Sequence, residues 1–160
     1  MSCKEKGKMK TLLIVMLCLI ELHAVNLNML YGNWNSIEQT TNRGTLTIEK
    51  EYLTLNANRT FSILVLVSVQ KGDAFIRDLR IEGSGIWKVW QDKMVLVVKD
   101  IQVPKAAEIY LISQASLRNL AANFKSKFVN EPIRISLIKS IDNRHLTTSN
   151  EQGKITQYKR

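Results

Sequence analysis

Apolar residues recur at every second position along most of this chain. Leu46 and Ile48 alternate with Thr45, Thr47 and Glu49, and Phe61, Ile63, Val65, Val67 and Val69 share one parity against Ser62 and Ser68. Ile133, Ile135, Leu137 and Ile141 do the same against Arg134, Ser136 and Ser140. Successive side chains of a strand point to opposite faces, so each segment reads as a strand with one face to bury. Turn signals separate them: Asn56-Ala57-Asn58, Lys71-Gly72-Asp73, Gly83-Ser84-Gly85, Gln91-Asp92-Lys93 and Glu151-Gln152-Gly153. The spacing predicts strands near 31–37, 44–50, 52–56, 60–70, 73–82, 85–91, 94–101, 133–141, 143–149 and 154–159. An antiparallel meander of about eight to ten strands is long enough to close into a barrel, which removes exposed edges.

One segment has a different period. Leu117, Leu120, Ala121, Phe124 and Phe128 recur at helical spacing, with Ser113 placed as an N-cap and Pro132 just past the end, so a helix is expected near 113–129. It precedes the last three strands. Packing against the wall or plugging one end, covering a ligand mouth as a lid, and touching a membrane surface through its basic flank are three readings of it.

The first 24 residues read as an export signal, outside the fold. Lys4, Lys6, Lys8 and Lys10 precede the apolar run Leu12–Ile20, and Leu22 and Ala24 occupy the positions that a signal peptidase reads. The run is far shorter than the about 20 residues that cross a bilayer, so no transmembrane span is expected after processing. Leu17, ahead of Cys18, is larger than the side chain a lipoprotein peptidase selects. Removal of this leader takes away both cysteines and lowers the formal charge from +9 to +7. The remaining segment, 25–160, reads as one domain without repeats or linkers. An exported domain of this size without cysteine must be stable from its core alone, which is more usual of bacterial proteins, so the expected location is the periplasm or the cell exterior.

Gly32-Asn33-Trp34 opens the first strand as a Gly-x-Trp. Asn58-Arg59-Thr60-Phe61 supplies a turn before Thr-Phe, Gly85-Ile86-Trp87 a second Gly-x-Trp, and Gly153 to Arg160 a closing strand. In these residues the chain resembles the lipocalin superfamily, and more closely small exported bacterial lipocalin-like (calycin-type) proteins. The resemblance implies a barrel whose floor is closed by Trp34 beside Gly32, with Lys159 or Arg160 laid across the indole. A cation over an indole face is favoured by about 0.5–2 kcal/mol. It also implies that a small apolar or amphipathic molecule is carried inside. The chain departs from the pattern in lacking a mid-chain Thr-Asp-x-Tyr and in placing its helix before the final hairpin.

Residue types narrow the chemistry. Without a mature cysteine there is no thiol nucleophile, and His145 is the only mature histidine, so neither a three-ligand metal site nor a cofactor is expected. His145 and Asp142 lie three apart at a predicted turn with no Gly-x-Ser-x-Gly elbow. Asp78 and Glu82 share a face with Arg80 between them, as on an ordinary charge-balanced outer surface. Gly83-Ser84-Gly85 lacks the Lys-Ser/Thr and helix of a phosphate cradle. The expectation is a non-catalytic protein.

A ligand would be lined by Phe61, Ile63, Val65, Phe75, Leu79 and Trp90. Arg77 shares strand parity with Phe75, Leu79 and Ile81, and a cation there costs several kcal/mol unless paired or wet. It reads either as an inward anchor for an acidic head group or, given a bulge at Asp73 to Phe75 or a rim position, as a snorkelling surface residue. Lys88 and Lys139 pose the same question. The basic charge is spread, with no platform for nucleic acid. Fatty acids, lipids and other apolar small molecules, or an anionic component of the cell envelope, are the expected partners. The alternative is an envelope-associated structural or interaction protein whose barrel is packed solid, since small barrels can be filled by side chains alone.

Overall fold

The computed structural model describes residues 25–103 and 106–160. The predicted export leader, 1–24, lies outside the described residues. A four-residue helix, α1 (Leu27–Leu30), leads into strands β1 (Gly32–Asn42), β2 (Thr45–Leu55), β3 (Thr60–Lys71), β4 (Ala74–Trp90) and β5 (Lys93–Gln102). Then come β6 (Glu108–Tyr110), helix α2 (Gln114–Asn130), β7 (Ile133–Ile141), β8 (His145–Asn150) and β9 (Ile155–Lys159). Hydrogen bonding runs β3-β2-β1-β9-β8-β7-β5-β4, and β4 returns to β3. Eight antiparallel strands therefore close into a barrel, and β6 adds a short ninth strand beside Phe75–Arg77 of β4. The all-β barrel with one long helix, expected from the alternation, is the fold this chain adopts.

Two predicted breaks are absent. The segments 44–50 and 52–56 form one strand, β2, because nothing between Thr45 and Leu55 turns the chain. Gly83-Ser84-Gly85 lies in the middle of β4 and is not a turn. Its glycines serve close approach instead: a Cβ on Gly85 would sit 2.0 Å from the Val97 carbonyl oxygen and 2.9 Å from Phe61 Cε1. Helix α1 and strand β6 have no counterpart in the alternation.

A bulge reverses the parity of β4. Val67 pairs with Leu79 and Val69 with Ile76, so Arg77 and Asp78 together oppose Ser68. Asp78 takes a φ of +48°, its backbone N–H donates to Ser68 Oγ at 3.0 Å, and Lys50 Nζ lies 3.9 Å from its carboxylate. Ile76 and Leu79 are consequently both buried while Arg77 is exposed. The extra residue lies at 77–78, later than the Asp73 to Phe75 position considered from sequence.

One end of the barrel is sealed by apolar side chains. Trp34, Leu53, Leu55, Phe61, Trp87 and Leu146 are all buried there, with Leu30 of α1. Trp34 Nε1–H donates to the Leu30 carbonyl at 2.8 Å. Arg160 places its guanidinium carbon 4.2 Å from the Trp34 ring centroid, and its Nη2 donates to the carbonyls of Met29 (2.6 Å) and Tyr31. Gly32, at φ +118°, turns the chain from α1 into β1 directly beneath that guanidinium. Helix α2 is capped by Ser113, whose Oγ accepts the Ser116 N–H at 3.1 Å. Its Phe128 is buried and Leu117, Leu120 and Phe124 are half-buried against the core, so this face of the helix is committed to the barrel.

Candidate ligand site

Directly paired residues in an antiparallel ladder lie on the same face, so register identifies the inward side chains. On β2 the buried Leu53 and Leu55 share parity with Glu51 and Glu49, which leaves Leu46 and Ile48 on the outer wall. On β7 the pairs Met94–Ser136 and Leu96–Arg134 turn Arg134 and Ser136 inward beside two buried side chains. The apolar parity of that strand faces out instead, and Ile133 is exposed. Both assignments reverse the expectation that the apolar face of each segment is the buried one.

The inward polar residues converge. Tyr158 Oη donates to Glu51 Oε1 at 2.7 Å over the inner face of β1, from β9 to β2. Arg134 acts electrostatically on both groups and lays its guanidinium 4.4 Å from the centroid of Phe128, at the end of α2. Glu49 and Lys154 also act on Glu51, and Lys154 Nζ pairs with Glu38 Oε2 at 2.6 Å. Burial pushes the Glu51 carboxyl above its ordinary value, with Glu49 adding to the rise, against the opposing pull of the Tyr158 hydrogen bond, Arg134 and Lys154. Burial, and then the charge of Glu51, push the Tyr158 hydroxyl well above its usual range. This is a desolvated acid bonded to a hydroxyl donor, with a cation on the same inner face near enough to act on both, set above an apolar floor. Chemically it can exchange a proton and can bind a small polar group.

The residues expected to line a ligand divide. Phe61, Ile63, Val65 and Leu79 are buried on the inner face. Phe75 and Arg77 lie outside because of the bulge, where Phe75 stacks on Tyr110 at 5.7 Å and Arg77 Nη1 pairs with Glu108 Oε2 at 2.6 Å. With Leu46, Ile48 and Lys50 they border an outer groove of about 400 Å3. Arg77 is therefore a surface cation, not an interior anchor. Trp90 is 63% exposed at the β4–β5 turn and lines no interior. Lys88 and Lys139 are exposed as well.

The chain matches no known protein-family model, and no curated protein matches it. Geometry alone must therefore carry any reading of the site. His145 and Asp142 are both exposed. Asp142 Oδ1 accepts the backbone N–H of Arg144 (2.6 Å) and His145 (2.7 Å), and these bonds hold its carboxyl below the ordinary range. That arrangement organises the β7–β8 turn. Asp78 and Glu82 are engaged with Lys50 and Arg80 on the outer wall. Among the described residues no group of three or more His, Cys, Asp or Glu is placed to hold a metal ion.

Sequence reasoning missed Glu51, Tyr158 and Arg134. The usable signal was in β2: with no turn residue from Thr45 to Leu55, Glu51 must share parity with Leu53 and Leu55.

Removing the Glu51 charge should stabilise the protein above acidic pH. A carboxyl whose folded pKa is raised binds more protons folded than unfolded, so stability falls as pH climbs from the ordinary carboxylate range through the raised value. Glu51→Gln keeps an acceptor for Tyr158 and abolishes that fall. Urea midpoints of the two proteins should converge in acid and separate in favour of the Glu51→Gln variant as pH rises. A constant gap, or one favouring the parent at neutral pH, contradicts this account of the site.

Proposed function

We propose that the protein is an exported, non-catalytic lipocalin-like barrel that holds a small amphipathic molecule. The apolar part lies against Val65, Val67 and Leu79, and the polar head lies at Glu51, Tyr158 and Arg134. The observation that carries this reading is the inward Glu51–Tyr158–Arg134 cluster. A desolvated charge costs several kcal/mol, and a purely structural core is at least as stable with apolar residues in its place. Retaining it is economical if the cluster recognises a ligand head group. The Gly-x-Trp floor with its arginine supports the lipocalin likeness, and the basic, apolar leader ending at Ala24 supports export to a bacterial periplasm or beyond.

The alternative, an envelope-associated protein with a filled interior, draws support from the packing near the floor. A Cβ on Gly83 would meet Ile63 Cγ2 at 2.9 Å, and one on Gly85 would meet Phe61 at the same distance. At that level side chains already occupy the space beside the wall. A ligand would then reach only the half of the barrel beyond Phe61 and Ile63.

Delipidated protein titrated with fatty acids and with alkylammonium ions of graded length separates the two. Binding should change the emission of the buried Trp34 and Trp87, and Arg134→Gln should weaken the preferred series about tenfold, as expected for losing one charge-assisted contact. No response to either series at any chain length overturns ligand carriage and leaves the filled barrel.

A further inference from the structure

The outer wall formed by β4, β5 and β7 carries an apolar lattice with a cationic border. Register places Ile86, Val97 and Ile133 in one cross-strand row, Lys88, Val95 and Ile135 in the next, and Trp90, Lys93 and Leu137 in the third. Lys139 follows beyond the third row. Ile86 is 41%, Ile133 58% and Trp90 63% exposed. Lys88, Lys93 and Lys139 are exposed too, and no ion pair among the described residues engages them.

Neighbouring turns extend the positive charge. The Asp92 carbonyl accepts the Ile138 N–H at 2.7 Å, which ties the β4–β5 turn to β7 beside Lys139. The Arg144 carbonyl accepts the Arg160 N–H at 3.0 Å, which fixes the β7–β8 turn against the chain end that carries Lys159. Against these cations stand Asp92 and Asp142 at the turns, where the Asp142 carboxylate is already taken by two backbone N–H groups, while the exposed Asp100 and Glu131 lie past the Ile86 row, at the far side from Lys93 and Lys139.

We propose that this face docks the barrel on an anionic lipid surface. An exposed indole is suited to the boundary between head groups and acyl chains, and lysines at its border add electrostatic attraction that short apolar patches lack. Lys93 Nζ lies 5.8 Å from the Trp90 ring centroid, so the indole and a cation reach the surface together. The charge complementarity decides for lipid: the apolar rows are bordered by Lys88, Lys93 and Lys139, unpaired among the described residues, with Arg144 at the adjoining turn. The face belongs to the outer wall, so the docking does not depend on whether the interior holds a ligand.

The test uses the processed chain with vesicles of phosphatidylcholine, alone or mixed with phosphatidylglycerol. Trp34 and Trp87 are buried, which makes Trp90 the tryptophan that brominated lipids can quench. Partitioning should appear only with the anionic lipid, weaken with salt, and quench a signal that Trp90→Phe removes. Each cation near the surface is worth about fivefold in partitioning, so Lys93→Glu with Arg144→Glu should cost more than about tenfold. Reversing Arg43 and Lys71, in the hairpins at the opposite end, lowers the net charge equally and should cost far less.

Equal binding to neutral vesicles, equal losses from both reversals, or no quenching each overturns the proposal. So does capture by a sulfated glycan or by nucleic acid without vesicle binding. Self-association that buries Trp90 while the vesicles stay empty reassigns the face to a second copy of the chain and also overturns it.

Discussion

Trp34→Ala should reduce the free energy of unfolding by about 3–5 kcal/mol, the range for deleting a large aromatic from a packed core. Trp34 is 1% exposed, so almost the whole indole is lost from the interior. Two further losses accompany the cavity. The Leu30 carbonyl loses its donor, and the Arg160 guanidinium loses the ring beneath it. Since stability of a domain is commonly about 5–15 kcal/mol, one substitution removes a large part of the total. Trp34→Phe should cost less because a ring remains beneath the cation. Combining Trp34→Leu with Arg160→Met in a double-mutant cycle should give a coupling of at least about 0.5 kcal/mol, the lower bound for residues in contact. Urea denaturation followed by far-ultraviolet circular dichroism checks both. A loss under about 1.5 kcal/mol for Trp34→Ala, or additivity in the cycle, would show that the floor does not depend on this contact.

The end of the barrel that this experiment probes is also the end that could be read from the chain. Phe61, Ile63 and Val65 alternate without interruption and are buried as the alternation requires. Trp34 is marked by its glycine, and Arg160 by its place directly after the last strand. The other half could not be read in the same way, for two physical reasons. An extra residue at Arg77–Asp78 turns Phe75 and Arg77 outward, and hydropathy alone does not register a single-residue slip of the ladder. Polar side chains also point inward there. A strand such as Ile133–Ile141 then shows clean alternation with its apolar face outside, and the pattern gives the period correctly and the phase wrongly. Arg134 was invisible for that reason. Trp90 illustrates the opposite case: it is expected from sequence to line a ligand in the interior, yet its place beside the two-residue β4–β5 turn leaves no interior for it to enter.

Phase errors of this kind are removed where backbones approach too closely for a side chain to be indifferent, and Gly85 provides the sharpest such test. Gly85→Ala should be among the most damaging single substitutions in the chain, costing about 3 kcal/mol or more, at the upper end of overpacking effects. The nearest obstruction to its Cβ is the Val97 carbonyl oxygen at 2.0 Å, part of the β4–β5 ladder, so relief requires the strands to separate. Gly83→Ala meets the side-chain ends of Ile63 (2.9 Å) and Ile101 (3.2 Å), which can rotate away, and should cost about 1–3 kcal/mol. Ser84→Ala, on the exposed face between them, should stay within about 0.5 kcal/mol. The order Gly85, Gly83, Ser84 in urea midpoints follows from geometry with no reference to helix or strand preference, since all three changes add or remove a single heavy atom. Shortening Phe61 should not rescue Gly85→Ala, because the phenyl ring at 2.9 Å is the second obstacle and the carbonyl the first. Recovery of Gly85→Ala by Phe61→Leu would mean that the strands are farther apart at this point than the register requires, and that the interior beside Phe61 holds room for a ligand tail.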